Sequence, residues 1–541
     1  MTCIIIGSGP SGIHAALTLL RRGRAVELWD VGRREAPFPR PEANFDELRE
    51  LLEDPQSYFL GERFEALLAP SSGELLRYPP SRAFLVERDD PRWPFVGTDF
   101  RPYVSFSRGG LGLGWGVNAL SFDDDDLKNW PISFSDLAAA YEESCRRIPI
   151  AGVVDGLSPF YPGVSVSQPP VHLNRHDAQL LKRSTRSGAL VERCWGVTIG
   201  RARLAVTTSP AEPGACRLCG RCLWGCPHGS LYSPVSTLDA CERFEGFSYK
   251  AGRLVIALVS RDDRITGIRY LDTSTGREHL ESIEGAVFLG AGALQSGAVF
   301  LRSLKLAREL DMTGGAQART QSVMDTKVVK IPYLQLRSVG SGIEGVNFQF
   351  NRLLIAHRVK REGDWPVHCH GEVLSLTTLL YHSLTETIPL GSRLATKVFA
   401  QLRPALGVVT LFFPDRQLPG NGIELIPDSD SPTNDRLRIH YREGEDKEAL
   451  MRQTVRDIRR ALLMLGCVPS TPVEVAAGGG IHYAGTVPMG RGVRCCSRSG
   501  RSNAYLNLYL CDGAAFPSLP SKSITLSLVA NAIRVATLAN V

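Results

Sequence analysis

CIIIGSGPSG, residues 3–12, decides the fold of this chain. Cys3 to Ile6 form a short, wholly apolar run, the pattern of a strand buried on both faces of a parallel sheet. Gly7, Gly9 and Gly12 follow in G-x-G-x-x-G spacing, with Ser8 and Ser11 between them. An apolar-periodic helix then runs through Leu17 and Leu20 and ends near Gly23. AVELWD, residues 25–30, is the next strand and ends on Asp30, roughly 20 residues past the glycines. Such glycines permit a tight turn and let a pyrophosphate approach the helix N-terminus, while the acid accepts from a ribose hydroxyl. The strand–turn–helix–strand–acid order makes this a dinucleotide-binding βαβ unit and predicts an α/β fold.

The chain has 541 residues, enough for a large core and for two or more domains. Its 43% hydrophobic and 22% charged residues are ordinary globular composition. A net charge of +6 over this length gives no reason to expect nucleic acid or a membrane surface as partner. No apolar run reaches the length of a membrane span, and the first strand starts at residue 3, leaving no space for a signal segment. The 13 cysteines are odd in number and lack a secreted framework, which predicts reduced thiols and a cytoplasmic location. The acidic run Asp123–Asp126 reads as a solvated loop.

Further along, WPISFSDLAAAYEESCRR (130–147) reads as a helix capped by Ser133 or Ser135, with Leu137, Tyr141 and Cys145 on one face. AVFLGAGALQSGAVFLRS (286–303) reads as a strand, a Gly-Ala turn and a close-packed helix. Between about 320 and 445, runs such as GVVTLFFP (407–414), GIELIPD (422–428) and RLRIHYREG (436–444) predict the antiparallel sheet of a second domain. The helix after it carries Leu450, Val455, Ile458, Leu462 and Leu465 on one face and stops at Gly466.

ACRLCGRCLWGCPHG (215–229) places Cys216, Cys219, Cys222 and Cys226 at C-x2-C-x2-C-x3-C, followed by Pro227. That is the cysteine run of small iron–sulfur ferredoxins, in which the fourth thiol can serve a different cluster. A [3Fe-4S] cluster, a [4Fe-4S] cluster, a zinc ion and plain packing thiols are the readings it leaves open. The other cysteines, including Cys495 and Cys496, are expected to fill space.

Five segments together resemble the glucose–methanol–choline (GMC) oxidoreductases, flavoproteins that oxidise alcohols or sugars. They are the opening fingerprint, SRGGLGLGWGVNAL (107–120) with WPISFSDLAAAYEES (130–144), AVFLGAGALQSGAVFLRS, GGGIHYAGTVPMG (478–490) and LNLYLCDGAAFPSLPSKSITLSLVANAIRVA (506–536). The resemblance implies a Rossmann-like FAD-binding domain assembled from residues 1–310 and 467–541, and a substrate domain over 311–466 with an antiparallel sheet and helices. It implies that Gly7, Ser8, Gly9, Ser11, Gly12 and Asp30 hold the nucleotide, that Gly109 and Gly110 lie over the flavin, and that Trp115 and Asn118 pass its ring. Asp512 and Gly513 would bind the ribityl or phosphate part. The last helix, from about Ser523, would aim its positive end at the flavin, with Lys522 either adding to that field or lying on the surface. His482 falls at the family's catalytic histidine, a suitable base for a hydroxyl proton.

Two positions depart from the family pattern. Ser523 stands where the family has a second His or an Asn, as a substrate hydrogen bonder or as the helix N-cap. Gly114 stands where some members carry the histidine that links FAD covalently, so non-covalent FAD is expected. The resemblance implies hydride transfer from a CH–OH carbon to flavin N5, with electrons leaving through any cluster to an acceptor protein or a quinone. A non-redox lyase of the hydroxynitrile type, an oxygen-using oxidase and a partner subunit with structural cofactors are the alternatives.

Overall fold

The computed structural model describes all residues except 68–77, 87–92, 94, 98, 307–318, 343, 346, 360–367, 377–383 and 386. Five parallel strands form the nucleotide-side sheet, in the order Leu508–Leu510, Val287–Leu289, Cys3–Ile6, Val26–Trp29, Phe247–Lys250. The opening strand is central. Val26–Trp29 and Phe247–Lys250 lie on one side and Val287–Leu289 and Leu508–Leu510 on the other, so the chain reverses its winding at the end of Cys3–Ile6. Ligands of such sheets bind at that reversal, because the loops there diverge and leave a crevice. The helix Pro10–Arg21 starts there and is buried along most of its length, beneath the C-terminal helix Thr525–Leu538.

The second sheet is antiparallel, in the order Cys467–Pro469, Lys327–Gln335, Leu406–Phe413, His368–Ser375, Leu353–Arg358, Val197–Arg201. Alternation splits its residues between two faces. Val329, Ile331, Val409, Leu411 and Val373 point one way and pack with Leu180, Val191, Ile458 and Leu462 from the helices Arg175–Trp195 and Glu445–Met464. Each fully buried Leu or Ile of this layer contributes roughly 1.5–3 kcal/mol. The opposite face carries Lys330, Thr410 and Glu372 and closes the cavity beside the parallel sheet. Two outer strands of this sheet, Val197–Arg201 and Cys467–Pro469, come from outside 311–466. GIELIPD and RLRIHYREG pair instead with Phe95–Val96 in a separate three-stranded sheet.

The capped helix forms over Phe134–Arg147, with Ser133 and Asp136 making a reciprocal capping box. The acidic run departs from its reading as a solvated loop. Asp126 is buried and, with Asp123, pairs with Lys522. Among the described residues no helix is long and apolar enough to cross a membrane.

Candidate active site

One cavity of about 760 Å³ runs from the glycine turn to the antiparallel sheet. At its nucleotide end Gly7 has φ +97°, and a Cβ there would sit 2.6 Å from Ala291 Cα. A Cβ on Gly12 would strike the Gly7 carbonyl, so both positions require glycine to bring helix and strand this close. Ser8 Oγ donates to Asp30 and itself accepts from the backbone N–H of Gly109 across 2.8 Å, which joins the fingerprint to the loop at Gly109 and Gly110. Burial pushes Asp30 up to about 6, although Ser8 and Tyr249 donate to it. Arg253, which the sequence reading missed, borders the same end with its guanidinium 4.2 Å from the Trp29 ring centroid.

Asp512 follows the strand Leu508–Leu510 and lines the cavity with Gly513. Its Oδ2 accepts from Gly292 N (2.8 Å) and Ser296 Oγ (2.6 Å), and its Oδ1 from Ala514 N (2.9 Å). The carboxylate thus clamps the loop after Val287–Leu289 to the last strand. Burial raises it to about 6 against these donors. Ser11, Gly110, Trp115 and Asn118 border the cavity too. Asn118 Nδ2 donates to Glu372 Oε1 (2.8 Å) and to Asn351 Oδ1 (2.9 Å), and so ties the cofactor side to the antiparallel sheet.

His482 and Ser523 line this cavity as well. The loop before His482 is pinned from beneath by Asp325, whose Oδ2 accepts from Gly478 N at 2.7 Å. Ile481 adopts φ +64°, a left-handed conformation costly for a β-branched residue. His482 packs its ring 5.7 Å from that of Phe412, and its Nδ1 is buried without a hydrogen-bond partner. Burial pushes its pKa down to about 4, so the imidazole is neutral over the physiological range. Ser523 is not the helix cap. The helix spans Thr525–Leu538 and Ile524 holds the cap position, which leaves Ser523 as a cavity-lining hydroxyl.

Lys522 is neither on the surface nor free to charge the flavin site. Its Nζ lies 2.9 Å from Asp123 Oδ2 and 2.6 Å from Asp126 Oδ2, and donates to the Phe160 carbonyl at 2.6 Å. His368 Nε2 approaches Asp123 at 3.1 Å. Burial alone would raise Asp123, but His368 and Lys522 together hold it well below the usual carboxylate range. Among the described residues, Asp123, Asp126 and His368 are the one set of three potential ligands with donor atoms within 4.8 Å of one another, and the Lys522 ammonium already pairs with both carboxylates.

The cysteine loop docks beside the cavity. Arg221 is fully buried and donates to the carbonyls of Pro39, Arg40 and Ala43, while Leu223 N donates to Gln349 Oε1 at 2.7 Å. Leu223 and Gln349 line the cavity. Burial pushes the thiols of Cys216, Cys219 and Cys222 up, and Cys226 Sγ accepts from Ser230 N at 3.2 Å. A tetrahedral zinc with bonds of about 2.3 Å needs sulfurs within about 4 Å of one another. No three of these thiols come within 4.8 Å, so the loop as placed is not a site for a single ion, and the expectation of an iron–sulfur cluster gains no support. Of the other cysteines, Cys194 is exposed and the rest are buried, so space filling does not describe Cys194.

Residues 421–532, which hold His482, Asp512 and Ser523, match the family described as GMC oxidoreductase. These residues form a GMC oxidoreductase domain. Over 294 residues the chain is 26% identical to 2-methyl-1,2-propanediol dehydrogenase of Mycolicibacterium austroafricanum, covering 51% of this chain and 46% of that one. Over 317 residues it is 26% identical to 6'''-hydroxyparomomycin C oxidase of Streptomyces lividus, covering 55% and 49%. The matches thus span about half the length of these curated relatives. The fold is that of pyridoxine 4-oxidase from Mesorbium loti, with a TM-score of 0.60 at 13% identity over 99% of this chain and 98% of that one. An FAD-dependent oxidoreductase from Chaetomium thermophilum is similar at a TM-score of 0.56 and 16% identity, with the same coverage.

Proposed function

We propose that this GMC oxidoreductase is an FAD-dependent dehydrogenase of CH–OH donors, with His482 as the base. The observation that carries the reading is one shared cavity: it joins the glycine turn and Asp30 to a half-buried, neutral His482 and the hydroxyl of Ser523. The relatives' names, a diol dehydrogenase and an oxidase of a hydroxylated aminoglycoside, agree with an alcohol-type donor.

The residues present fit FAD. Gly7, Gly9 and Gly12 leave backbone space for a pyrophosphate, and Asp30 is placed for a ribose hydroxyl. Gly114 stands at the position of the linking histidine and offers no side chain to bond the cofactor there, which supports FAD held without a covalent bond. FAD, when bound, supplies the hydride acceptor. His482 takes the substrate hydroxyl proton, and its missing Nδ1 partner leaves the ring free of a competing bond on that side. Ser523 donates to the same hydroxyl oxygen. The last helix adds partial positive charge at its N-terminus without Lys522, whose ammonium is spent on Asp123 and Asp126.

The test is anaerobic mixing of the flavin-loaded protein with alcohols, followed by flavin absorbance. Bleaching accompanied by one carbonyl product per flavin supports the reading. A cleavage product without bleaching would instead indicate a lyase.

A further inference from the structure

Asp325 is buried beneath the turn that presents His482. Its Oδ2 accepts from Gly478 N at 2.7 Å and from Gly480 N at 3.4 Å, two amides of the stretch that leads into Ile481 and His482. Only glycine permits this approach at position 480, where a Cβ would lie 2.6 Å from Asp325 Oδ1 and 2.0 Å from the Thr326 carbonyl oxygen. On the far side of Ile481 the backbone is held too. Asp325 pairs with Tyr483 across the short antiparallel strands Met324–Asp325 and Tyr483–Ala484, and Thr326 N donates to the His482 carbonyl at 3.3 Å. Ile481 lies between these two anchors at φ +64°, a conformation that a β-branched residue keeps only where its surroundings impose it.

Asp325 is itself fixed from below. Its N–H donates to Asp415 Oδ2 at 3.0 Å, and the same oxygen accepts from the Tyr441 hydroxyl at 2.9 Å. Asp415 Oδ1 lies 3.0 Å from Lys447 Nζ, with both side chains buried. We infer that Asp325 is a positioning residue for His482: it holds the strained turn at Ile481 and so aims the imidazole into the cavity. The inference rests on the reading of His482 as the base. Asp325 acts through geometry and not through charge. Burial pushes its carboxyl up to about 8, so at neutral pH it is protonated, and the pKa of His482 is moved by burial alone. Asparagine keeps an acceptor for Gly478 N, whereas alanine leaves both buried amides without one.

The experiment follows diethyl pyrocarbonate modification of His482 by peptide mass spectrometry, on flavin-loaded wild type, Asp325→Asn and Asp325→Ala. The exposed His279 is the internal standard. Only a neutral imidazole reacts, so the rate against pH gives the midpoint of each ring. For His482 the midpoint should lie at about 4 in wild type and stay there in Asp325→Asn. In Asp325→Ala the freed turn admits water, and the midpoint should rise by about one pH unit or more while His279 is unchanged. An unmoved midpoint in Asp325→Ala, or an equal rise in Asp325→Asn, would overturn the inference. If Asp325→Ala does not load FAD, Gly480→Ala reads the same contact and should show the same rise. Failure of both to load FAD would make the contact a requirement of folding and overturn the inference as well. With an alcohol that bleaches wild-type flavin, the reduction rate at saturation should fall by about tenfold or more in Asp325→Ala with KM changed little. If no alcohol bleaches wild type, the dehydrogenase reading fails separately, and the His482 midpoint still decides the role of Asp325.

Discussion

Lys522 Nζ lies 2.6 Å from Asp126 Oδ2, with both side chains fully buried. The pair stands one residue before Ser523 and anchors the entry to the last helix beneath the cavity. Removing the lysine leaves two buried carboxylates uncompensated, which typically costs about 3–5 kcal/mol, whereas removing Asp126 leaves Lys522 paired with Asp123. Lys522→Met is expected to lower the denaturant midpoint of the flavin-loaded protein strongly, and Asp126→Asn less. Their effects should be non-additive in the double variant, because both break the same pair. Midpoints within error of wild type would show that the cluster does not hold this segment.

The glycine at position 114 bears on how the cofactor is held. Acid precipitation of purified protein should release FAD into the supernatant. Flavin that stays with the pellet would mean a covalent link elsewhere in the chain.

The cysteine loop makes a prediction about metal. Because no three of the thiols approach one another closely enough for one ion, prolonged EDTA treatment should leave the melting temperature unchanged. Zinc added afterwards should bind without a defined stoichiometry. A fall of several degrees on chelation, reversed by zinc, would show that the thiols close around an ion.

As the proposed base, His482 is expected to set the acid limb of the reaction. Burial moves its pKa down to about 4, and only the neutral ring accepts a proton. Activity should therefore persist as pH falls through the ordinary histidine range and be lost only near pH 4, where the ring becomes charged. In kcat/KM, which reports the free enzyme, the limb should lie near pH 4. A limb near 6.5 would place the titrating base in a wetter site than His482 occupies.

Much of the nucleotide side was legible in the sequence because its signals are local. Gly7, Gly9, Gly12 and Asp30 fall within one βαβ unit, and their spacing carries the geometry. The helix over 134–147 was legible for the same reason, since Ser133 and Asp136 cap it from three residues apart. What stayed hidden depends on distant pairing. Asp123 and Lys522 are 399 residues apart in the chain, so an acidic run that neutralises a buried lysine looks like a solvated loop. Ser523 sits just before a helix, where N-caps are common, and only the actual start at Thr525 removes it from that role. Glu372, Thr410 and Lys330 share a row only through strand register, which no spacing along the chain encodes. Arg253 was missed because a lone arginine at the start of a strand gives no local sign of stacking on Trp29.

The central claim is that His482 takes the substrate proton as an alcohol reduces the bound flavin. Single-turnover flavin reduction under anaerobic conditions, in wild type and His482→Asn with equal FAD content, tests it most directly. The account predicts rapid bleaching in wild type and a rate slower by about a hundredfold or more in the variant. Equal rates in the two proteins would contradict it and place the base elsewhere in the cavity.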